Sequence, residues 1–507
     1  MKAHLMFPDR DIDTEGALPS NATDLIQDME LETLLAAMAD GDKFLHEIAH
    51  RSVLTGFANT REVITWRQAV MQDCIDHEAE IRALYDIAIA PLEVRKGIFY
   101  SFSSRYPGML LSGAVRLLEG LRRIIGDLAQ FASRNSERFR SPALRDLCAM
   151  LQSELNPDYL ATVDEHLATL HFRHGVLFSA RLGPGNEGRD YVLRHFVPER
   201  WAWLKDLING APPNHHFSIH PRDESGARAL TALRDEALVE AARTTSRASD
   251  HIVDFFAMLR AELAFYIGSL NLRRTLAAKN CPICVPTVGE PAVAGVSFDD
   301  LRDPCLTLTI EGKVVGNTID ASSSPLLMIT GANQGGKSTF LRSLGLAQIM
   351  MQCGMFVTAR HFAAGLRDGL FTHYRRREDT ALNSGKFDEE LRRMSRLVER
   401  IGASPLFLFN ESFAATNERE GAEIARQIIL ALVEAGARIV FVTHMFALAE
   451  MFIDHPQIGV TFLRAQRDQG GARSFLLLPG APLTTSFGRD LYCQIFGDDA
   501  TDQPTKE

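Results

Sequence analysis

Apolar residues recur at helical spacing through the first part of the chain. Between about Asn21 and Asn156 they return every three or four positions, most clearly in DLIQDMELETLLAAMA, EAEIRALYDIAIAPLEV and SGAVRLLEGLRRIIGDLAQFA. Ser141 followed by Pro142 is typical of a helix start, because the hydroxyl caps a free N–H and proline fits the first helical position. The pattern predicts a mostly α-helical region.

A second helical pattern begins at Asp235 and runs to Asn280 without an internal proline. At 1.5 Å per residue it predicts a rod of roughly 70 Å, which could carry motion between distant sites. Arg273, Arg274 and Lys279 stand near its end, where cations suit the dipole of a helix C-terminus. We interpret these three residues as interacting with their own helix.

Between the two helical regions the pattern changes to short runs. The segments GVLFSARLG, RDYVLRHFV and HHFSIH are typical of strands, and GPGNEG and GAPPN between them are turn sequences. We predict a small strand-rich insert at 165–225. Its basic residues are interleaved with acidic ones. They could contact DNA or form a solvated surface, and the sequence leaves both alternatives open.

From about Pro291 strand and helix signals alternate. The segments CLTLTI, PLLMIT, PLFLFN, ARIVFVTH, IGVTFL and SFLLL are typical of strands, most of them buried. Helical patterns such as STFLRSLGLAQIMMQ and GAEIARQIILALVEAG lie between them. The alternation predicts an α/β domain with a largely parallel sheet.

Composition and charge limit the classes of function. Of the 507 residues 46% are hydrophobic, the net charge is −10 and the pI is about 5.9. This balance argues against a chain that coats nucleic acid over its whole surface, although a local basic patch remains possible. The basic triple Arg375 to Arg377 could contact nucleotide or DNA, or be a solvated loop. No apolar run reaches the roughly 20 residues that span a bilayer, and the N-terminus does not resemble a signal peptide. We therefore expect a cytoplasmic protein.

The seven cysteines are dispersed, which is typical of reduced thiols. Cys281 and Cys284 form one CxxC pair, but a structural zinc site would need a second pair at suitable spacing. We favour a loop between domains over a metal site.

The strongest chemical signal is the segment TGANQGGKSTF. It matches G-x-x-x-x-G-K-[ST] between an apolar strand and a helix, the context in which a P-loop binds phosphates. Glycines let backbone N–H groups turn towards phosphate oxygens, and the helix adds its positive N-terminus. Lys337 is expected to reach the β- and γ-phosphates of ATP, and Ser338 to ligate Mg²⁺. The predicted nucleotide-binding residues are Gly331, Ala332, Asn333, Gln334, Gly335, Gly336, Lys337, Ser338 and Thr339.

A P-loop ATPase also needs an acidic residue at the end of a second strand. In PLFLFNES, Glu411 is the candidate that positions or deprotonates the attacking water. Asn410 stands where an aspartate usually holds the Mg²⁺ shell, and an amide oxygen keeps an acceptor there without the charge. His444 ends the strand VFVTH, where it could sense the γ-phosphate; a structural histidine is the alternative.

These segments resemble the MutS family of ATPases, within the wider ABC class. TGANQGGKST is close to that family's TGxNxGGKST, and CGMFVTA, FAATNEREG, THMFALAEM and LPGAPLTTSFG resemble its later motifs. DPCLTL and VVGN resemble segments ahead of the family's P-loop. NSGKFDEEL, with Ser384 and Gly385, resembles the signature that faces the partner in the dimer; aligned on Phe387, the family's serine falls on Gly385.

The resemblance implies a homodimer that holds ATP and Mg²⁺, each site completed by the partner's signature. Upstream, ITWRQAVMQDCI and LRAELAFYIGSLNLRRTL resemble the family's lever core. No mismatch-recognition or connector domain is recognisable, so we expect a short bacterial MutS-like ATPase without preference for a mispair. A DNA-binding clamp or sensor in repair or recombination is the favoured hypothesis, and a nuclease or other repair protein could be its partner. The alternative is a nucleotide-gated dimeric protein scaffold with slow hydrolysis and no direct DNA binding.

The predicted organisation follows from these patterns. A helical core or lever domain occupies 1–164, and the insert at 165–225 replaces the family's clamp. The long lever helix at 226–290 returns to an α/β P-loop ATPase domain of the ABC/MutS type at 291–495. A flexible tail at 496–507 is expected to follow.

Overall fold

The structure is a computed structural model that describes residues 1–102, 106–173, 175–194, 218–290, 295–331, 334–375, 385–453, 458–467 and 473–482. The chain folds into two compact units. One comprises Met1–His4 with Ala79–Glu262, and the other comprises Leu5–Glu78 with Leu263–Glu507. Within the described ranges, no helix combines the length and apolar character that crossing a membrane requires.

The predicted helical region at the start of the chain is confirmed. Its helices are α1 Ala22–Asp28, α2 Leu31–Ala39, α3 Lys43–Leu54, α4 Arg61–Asp76, α5 Glu78–Phe102, α6 Pro107–Asn135, α7 Pro142–Glu154 and α8 Pro157–Leu170. Ser141 caps α7, its hydroxyl accepting from the Leu144 N–H at 3.4 Å. The first predicted helix is interrupted between α1 and α2 at Glu30, whose backbone is left-handed with φ of 51°.

The unit that contains Ala79–Glu262 includes a short hairpin. Strands β1 Phe178–Leu182 and β2 Gly188–Leu193 pair antiparallel, as the first two strand-like segments predict. Of the third segment, HHFSIH, the first three residues lie outside the described residues, and Ser218, Ile219 and His220 are not part of a strand. A small apolar core between helices of this unit is formed by Leu111, Val115, Leu167, Leu238 and Ala242.

The long helix is longer than the apolar pattern predicts. Helix α9 spans Glu224–Ala278 and contributes residues to both units. It begins ahead of Asp235 because the Asp223 carboxylate accepts from the Gly226 N–H at 2.9 Å, which satisfies a free donor of the first turn. The exposed first turns carry few buried positions, and apolar periodicity therefore does not reveal them.

A six-stranded sheet in the order β12-β11-β6-β10-β9-β8 forms the centre of the other unit. Neighbouring strands from β11 to β8 are parallel, and β12 is antiparallel to β11. The strands are β6 Leu326–Thr330, β8 Leu370–Tyr374, β9 Leu406–Asn410, β10 Arg438–Val442, β11 Val460–Arg467 and β12 Arg473–Pro479. Every residue of β6 and β10 is buried, as expected for central strands covered on both faces. The helices are α10 Pro304–Thr309, α11 Lys337–Gln352, α12 Lys386–Val398, α13 Glu418–Glu434 and α14 Phe446–Ile453.

A smaller four-stranded sheet, in the order β3-β7-β4-β5, belongs to the same unit. Its strands are β3 Thr287–Gly289, β4 Val296–Leu301, β5 Asn317–Ala321 and β7 His361–Gly365. Four short strands from three separate stretches of chain form this sheet.

The prediction that CLTLTI is a strand is wrong, because it forms α10. The Asp303 carboxylate accepts from the Leu306 N–H at 2.9 Å, and Pro304 occupies the first helical position. A capping aspartate followed by proline favours a helix start over a strand, despite the β-propensity of the threonines.

Stacked aromatic rings hold the strands that end at the candidate site. Ring centroids are 5.2 Å apart for Phe371 and Phe407, and 5.0 Å apart for Phe409 and Phe441. These pairs join β8 to β9 and β9 to β10. Truncating a buried ring such as Phe409 to alanine typically costs about 3–5 kcal/mol, so this layer is a main support of the sheet.

Candidate functional site

Three parallel strands bring their carboxyl ends to one edge of the sheet. Val442 at the end of β10 is in register with Ile329 of β6 on one side and with Asn410 of β9 on the other. The glycine-rich segment follows β6, Glu411 follows β9 and His444 follows β10. Sheet topology thus places three sequence-predicted groups side by side, as is usual for ligand sites of open α/β sheets.

The glycine-rich turn requires backbone conformations that suit glycine. Gly331 has φ of +115°, and a Cβ there would lie 3.0 Å from the backbone nitrogen of Ala465. Gly336, with φ of +87°, precedes the first residue of α11. The turn therefore leads directly into the helix, whose first N–H groups have no acceptor within the helix. Ala332 and Asn333 lie outside the described residues.

Lys337 points its ammonium group back at the turn. The side chain is buried, and Nζ donates to the carbonyl oxygen of Gly331 at 2.7 Å. Burial lowers the pKa of Lys337 from its ordinary value, and the negative charge of Glu411 opposes that shift. A buried cation is thus held beside backbone groups that could surround an anion.

Ser338 and Asn410 bring two oxygen atoms together. The Ser338 hydroxyl donates to Oδ1 of Asn410 at 3.1 Å. Hydroxyl and amide oxygens are ligands that Mg²⁺ accepts, directly or through its waters. The residues fit a magnesium site in donor type, although Asn410 supplies no negative charge.

Glu411 and His444 face one another at the same edge. Oε1 of Glu411 lies 4.0 Å from Nδ1 of His444, and both side chains are partly exposed. The Glu411 N–H donates to the carbonyl oxygen of Val442 at 2.9 Å, which joins the residue to β10. The carboxylate is thus available to a molecule that approaches from solvent.

A cavity of about 380 Å³ opens beside this edge. Part of its wall is polar and is formed by residues of the turn and of the first helical positions, with Glu411. Another part of its wall is largely apolar. The described residues of the polar wall are Gln334, Gly335, Gly336, Lys337, Ser338, Thr339 and Glu411, while those of the apolar wall include Leu301, Leu306, Ile310, Val314, Val315, Phe340 and Phe475.

The residues of the apolar wall were not predicted from the sequence. Leu306 and Ile310 come from α10 and the residue that follows it, Val314 and Val315 from the loop before β5, and Phe475 from β12. A partial signal existed, since DPCLTL and VVGN precede the glycine-rich segment and resemble family motifs. Their contribution to a cavity wall depends on tertiary packing, which no local pattern predicts.

A buried ion pair joins α10 to α11. Nε of Arg342 donates to the Asp303 carboxylate at 2.6 Å, and Glu30 also pairs with Arg342. Burial raises the pKa of Asp303, and the Arg342 guanidinium opposes that shift. The apolar wall is therefore fixed to the helix that follows the glycine-rich turn.

The end of α9 also contacts the apolar wall. Nζ of Lys279 donates to the carbonyl oxygens of Leu308 at 3.1 Å and Ile310 at 2.7 Å. Lys279 therefore does not serve its own helix, as the sequence interpretation had it, but stabilises the C-terminal end of α10. Arg274 forms an ion pair with Asp40 at 2.6 Å, again away from its own helix end.

Gly385 stands apart from the groups just described. It is exposed and directly precedes α12, and the described residues that line the cavity do not include it. Ser384 lies outside the described residues, as do Arg376 and Arg377.

Two family models match the chain. The model of the MutS2 N-terminal domain matches residues 59–279, and the model of MutS domain V matches residues 327–488. The second range includes the glycine-rich turn, Asn410, Glu411 and His444.

Curated proteins named MutS and MutS2 match part of the chain. A DNA mismatch repair protein MutS of Methanococcoides burtonii is 28% identical over 297 residues, which are 57% of this chain and 30% of that protein. Its counterpart in Natronomonas pharaonis is 31% identical over 225 residues, 43% of this chain and 26% of that protein. An endonuclease MutS2 of Lacticaseibacillus casei is 30% identical over 219 residues, 42% of this chain and 27% of that protein.

The matched regions thus span less than a third of the length of these relatives. The two family models match different parts of the chain, and the relatives are named MutS or MutS2. The chain therefore belongs to the MutS family.

Proposed function

We propose that this chain is a P-loop ATPase that binds ATP with Mg²⁺ in the described cavity and hydrolyses it. The observation that carries the proposal is the polar wall of the cavity. It contains a glycine turn, a buried lysine ammonium and an accessible carboxylate, and its Ser338 hydroxyl is hydrogen-bonded to Asn410.

The polar and apolar walls of the cavity suit the triphosphate and the base of a nucleotide. The triphosphate would lie against the turn, where free N–H groups and the positive end of α11 favour an anion. The base would lie against the apolar wall that includes Leu306 and Ile310. Lys337 would exchange the Gly331 carbonyl for a phosphate oxygen, a stronger acceptor because it is charged.

Each polar side chain at the site then has a role. Ser338 and Asn410 would hold the magnesium ion and its waters, and the ion supplies neutralisation of phosphate charge when bound. Glu411 would orient the attacking water and accept its proton. His444, close to Glu411, would contact the terminal phosphate. Asn410 makes the metal site neutral where the family has an aspartate, so we propose slow hydrolysis.

We extend the proposal to a homodimer that acts on DNA. The support is family membership and the relatives named for mismatch repair and endonuclease activity. In this proposal Ser384 and Gly385 complete the partner's ATP site, and the nucleotide state controls a clamp or sensor in repair or recombination. A nuclease or another repair protein would be a downstream partner.

A nucleotide-gated protein scaffold is the second candidate. The neutral Ser338–Asn410 pair and the net charge of −10 favour it over an efficient DNA-dependent motor. The two candidates differ in DNA affinity. A clamp should bind duplex or branched DNA in an ATP-dependent manner and lose affinity steeply with salt, whereas a scaffold should not bind it.

Substitution of Lys337 tests the ATPase proposal. Lys337→Ala removes the buried ammonium, and we expect ATP binding to weaken by at least tenfold and turnover to disappear. Lys96→Ala serves as a matched control, because Lys96 is 73% exposed on α5. Isothermal titration with ATP and a phosphate-release assay measure both quantities. Wild-type ATP affinity in a folded Lys337→Ala protein would refute the assignment.

A salt titration of DNA binding tests the choice between clamp and scaffold. Duplex, branched and mismatched DNA are each titrated with and without ATP. Binding that responds to ATP and falls as salt rises supports the clamp, and no binding at low salt supports the scaffold.

A further inference from the structure

The segment that follows β9 has an uncommon backbone. Glu411 has φ of 55° and Phe413 has φ of 64°, so two residues with side chains occupy the left-handed region within three positions. This region is sparsely populated by residues other than glycine, and surrounding contacts must hold the chain there. Because the first of the two is the proposed catalytic carboxylate, the contacts that fix this segment also fix the direction of that carboxylate.

One contact comes from a side chain of α12. Oε2 of Glu390 accepts from the Phe413 N–H at 2.9 Å. The Phe413 ring is fully buried and stacks on His373 with centroids 5.1 Å apart. The segment is therefore held through both its backbone and its side chain.

The residue between the two left-handed positions is held as well. The Ser412 hydroxyl lies 2.8 Å from Nδ1 of the buried His373, and Nε2 of that ring lies 3.1 Å from the carbonyl oxygen of Glu390. The His373 ring therefore bridges the segment and α12, and Glu390 takes part through both its side chain and its main chain.

Helix α12 itself is attached to the sheet. Nη1 of Arg393 donates to the carbonyl oxygen of Tyr374 at 3.0 Å, at the end of β8. The helix begins at Lys386, so Glu390 lies just over one turn from its start and from Gly385. Burial raises the pKa of Glu390, and the Phe413 N–H opposes that shift. A carboxylate that is buried in part and accepts a backbone N–H is a specific contact rather than a solvated surface charge.

We propose that Glu390 is a positioning residue for ATP hydrolysis, which fixes the direction of Glu411 by holding the Phe413 backbone from α12. The proposal rests on the ATPase function proposed above and deepens it. Glu390 touches the segment and not the cavity, since the described lining residues include Glu411 but not Glu390. The contact also connects the start of α12, beside Gly385, to the catalytic strand of the same protomer.

Two substitutions separate the acceptor from the bulk of the side chain. Glu390→Met keeps length and helix propensity but has no oxygen to accept the Phe413 N–H. Glu390→Gln keeps an oxygen in the same place. Glu399→Met is the matched control, because Glu399 is an exposed carboxylate at the C-terminal end of α12, outside the segment NSGKFDEEL.

We expect Glu390→Met to lower kcat by about tenfold or more, since small displacements of a catalytic group are costly. KM for ATP should stay within about twofold of wild type, because the cavity lining is unchanged. Glu390→Gln should restore kcat to within about threefold of wild type, and Glu399→Met should match wild type. Steady-state kinetics of the purified chain, with ATP affinity by titration and melting temperature for each variant, provide these readouts.

Three results would overturn the inference alone. Wild-type kcat in Glu390→Met would show that the contact does not position Glu411. The proposed function would stand in that case, provided that ATP binding still depends on Lys337. Equal losses of kcat in the Met and Gln variants would show that the acceptor is not what matters. A parallel change in KM, kcat and melting temperature would indicate a purely structural role. Failure of the wild-type protein to bind ATP would instead refute the proposed function, and the inference with it.

Discussion

Lys279, at the end of the long helix α9, donates a hydrogen bond to the Ile310 carbonyl oxygen across 2.7 Å. The same ammonium reaches the Leu308 carbonyl, so it caps the C-terminal end of the short helix α10. Leu306 and Ile310 form part of the apolar cavity wall. Lys279, at the end of the long helix, thus binds a residue of the cavity wall on which we place the nucleotide base.

We predict that Lys279→Met weakens ATP binding without impairing the chemical step. Loss of the cap loosens α10, and the apolar wall with it, whereas Glu411 and Lys337 are untouched. The expected change is about fivefold in the Kd for ATP, or about 1 kcal/mol, with kcat at saturating ATP unchanged. Arg274→Met, which removes a cation from the same helix end, should leave the affinity unaltered. An equal effect of both substitutions would contradict a specific role for Lys279.

Asn410→Asp should lower the Mg²⁺ concentration that supports half-maximal hydrolysis. The Ser338 hydroxyl already donates to the Asn410 side chain, so an aspartate can take the same position and add a negative charge. Replacing a neutral acceptor by a charged one is worth roughly 1 kcal/mol, which corresponds to a change of several-fold. Turnover measured against Mg²⁺ concentration gives the answer. An unchanged or higher requirement would mean that the neutral pair is not the metal site.

Glu411→Gln should separate ATP binding from hydrolysis. The substitution keeps the size of the side chain but removes the proton acceptor, so turnover should fall by at least about a hundredfold while ATP stays bound. Nucleotide retained after rapid gel filtration reports the trapped state. A variant that hydrolyses ATP as fast as wild type would show that β9 is not the catalytic strand.

Gly385→Arg should abolish turnover while each protomer still binds ATP. A Cβ at this exposed position meets nothing within 4 Å in its own protomer, so the arginine should not disturb folding. Gly97→Arg is the matched control, because a Cβ there is equally unobstructed. Hydrolysis by the wild type should also rise more than linearly with protein concentration at high dilution. Full activity of Gly385→Arg would exclude a shared site at this residue.

ATP affinity should decline at alkaline pH earlier than an ordinary lysine would require. Burial lowers the pKa of Lys337 below the usual 10.5, so the ammonium loses its proton as pH rises through this lower value. The charge that binds phosphate is therefore present below that pKa and lost above it. Binding titrations between pH 7 and pH 10.5 measure the decline. Lys337→Arg, whose guanidinium stays charged throughout, should show a flat profile if it binds ATP, and a decline of equal size in that variant would assign the effect to another group.

The sequence by itself determined the elements whose signals are local. The helical spacing between Asn21 and Asn156, the cap at Ser141 and the buried runs of β6, β9 and β10 each predict their structure from neighbouring residues. The glycine turn before Lys337 is local too, because glycine conformation and a helix start suffice to form it. Asn410, Glu411 and His444 could be proposed for the same reason, since each lies at or just beyond the end of an apolar strand.

Tertiary structure decided which distant groups meet. The apolar wall joins residues of α10, the loop before β5 and β12, and neither spacing nor propensity connects these segments. Lys279 was assigned to its own helix because a sequence shows only local neighbours, whereas its ammonium binds carbonyl groups about thirty positions away. The hydrogen bond from the Phe413 N–H to Glu390 likewise joins residues that are not neighbours in the sequence. Such contacts depend on the order of the strands and on how the helices pack. Both are set by the burial of apolar surface over the whole unit, so a local sequence pattern does not predict them.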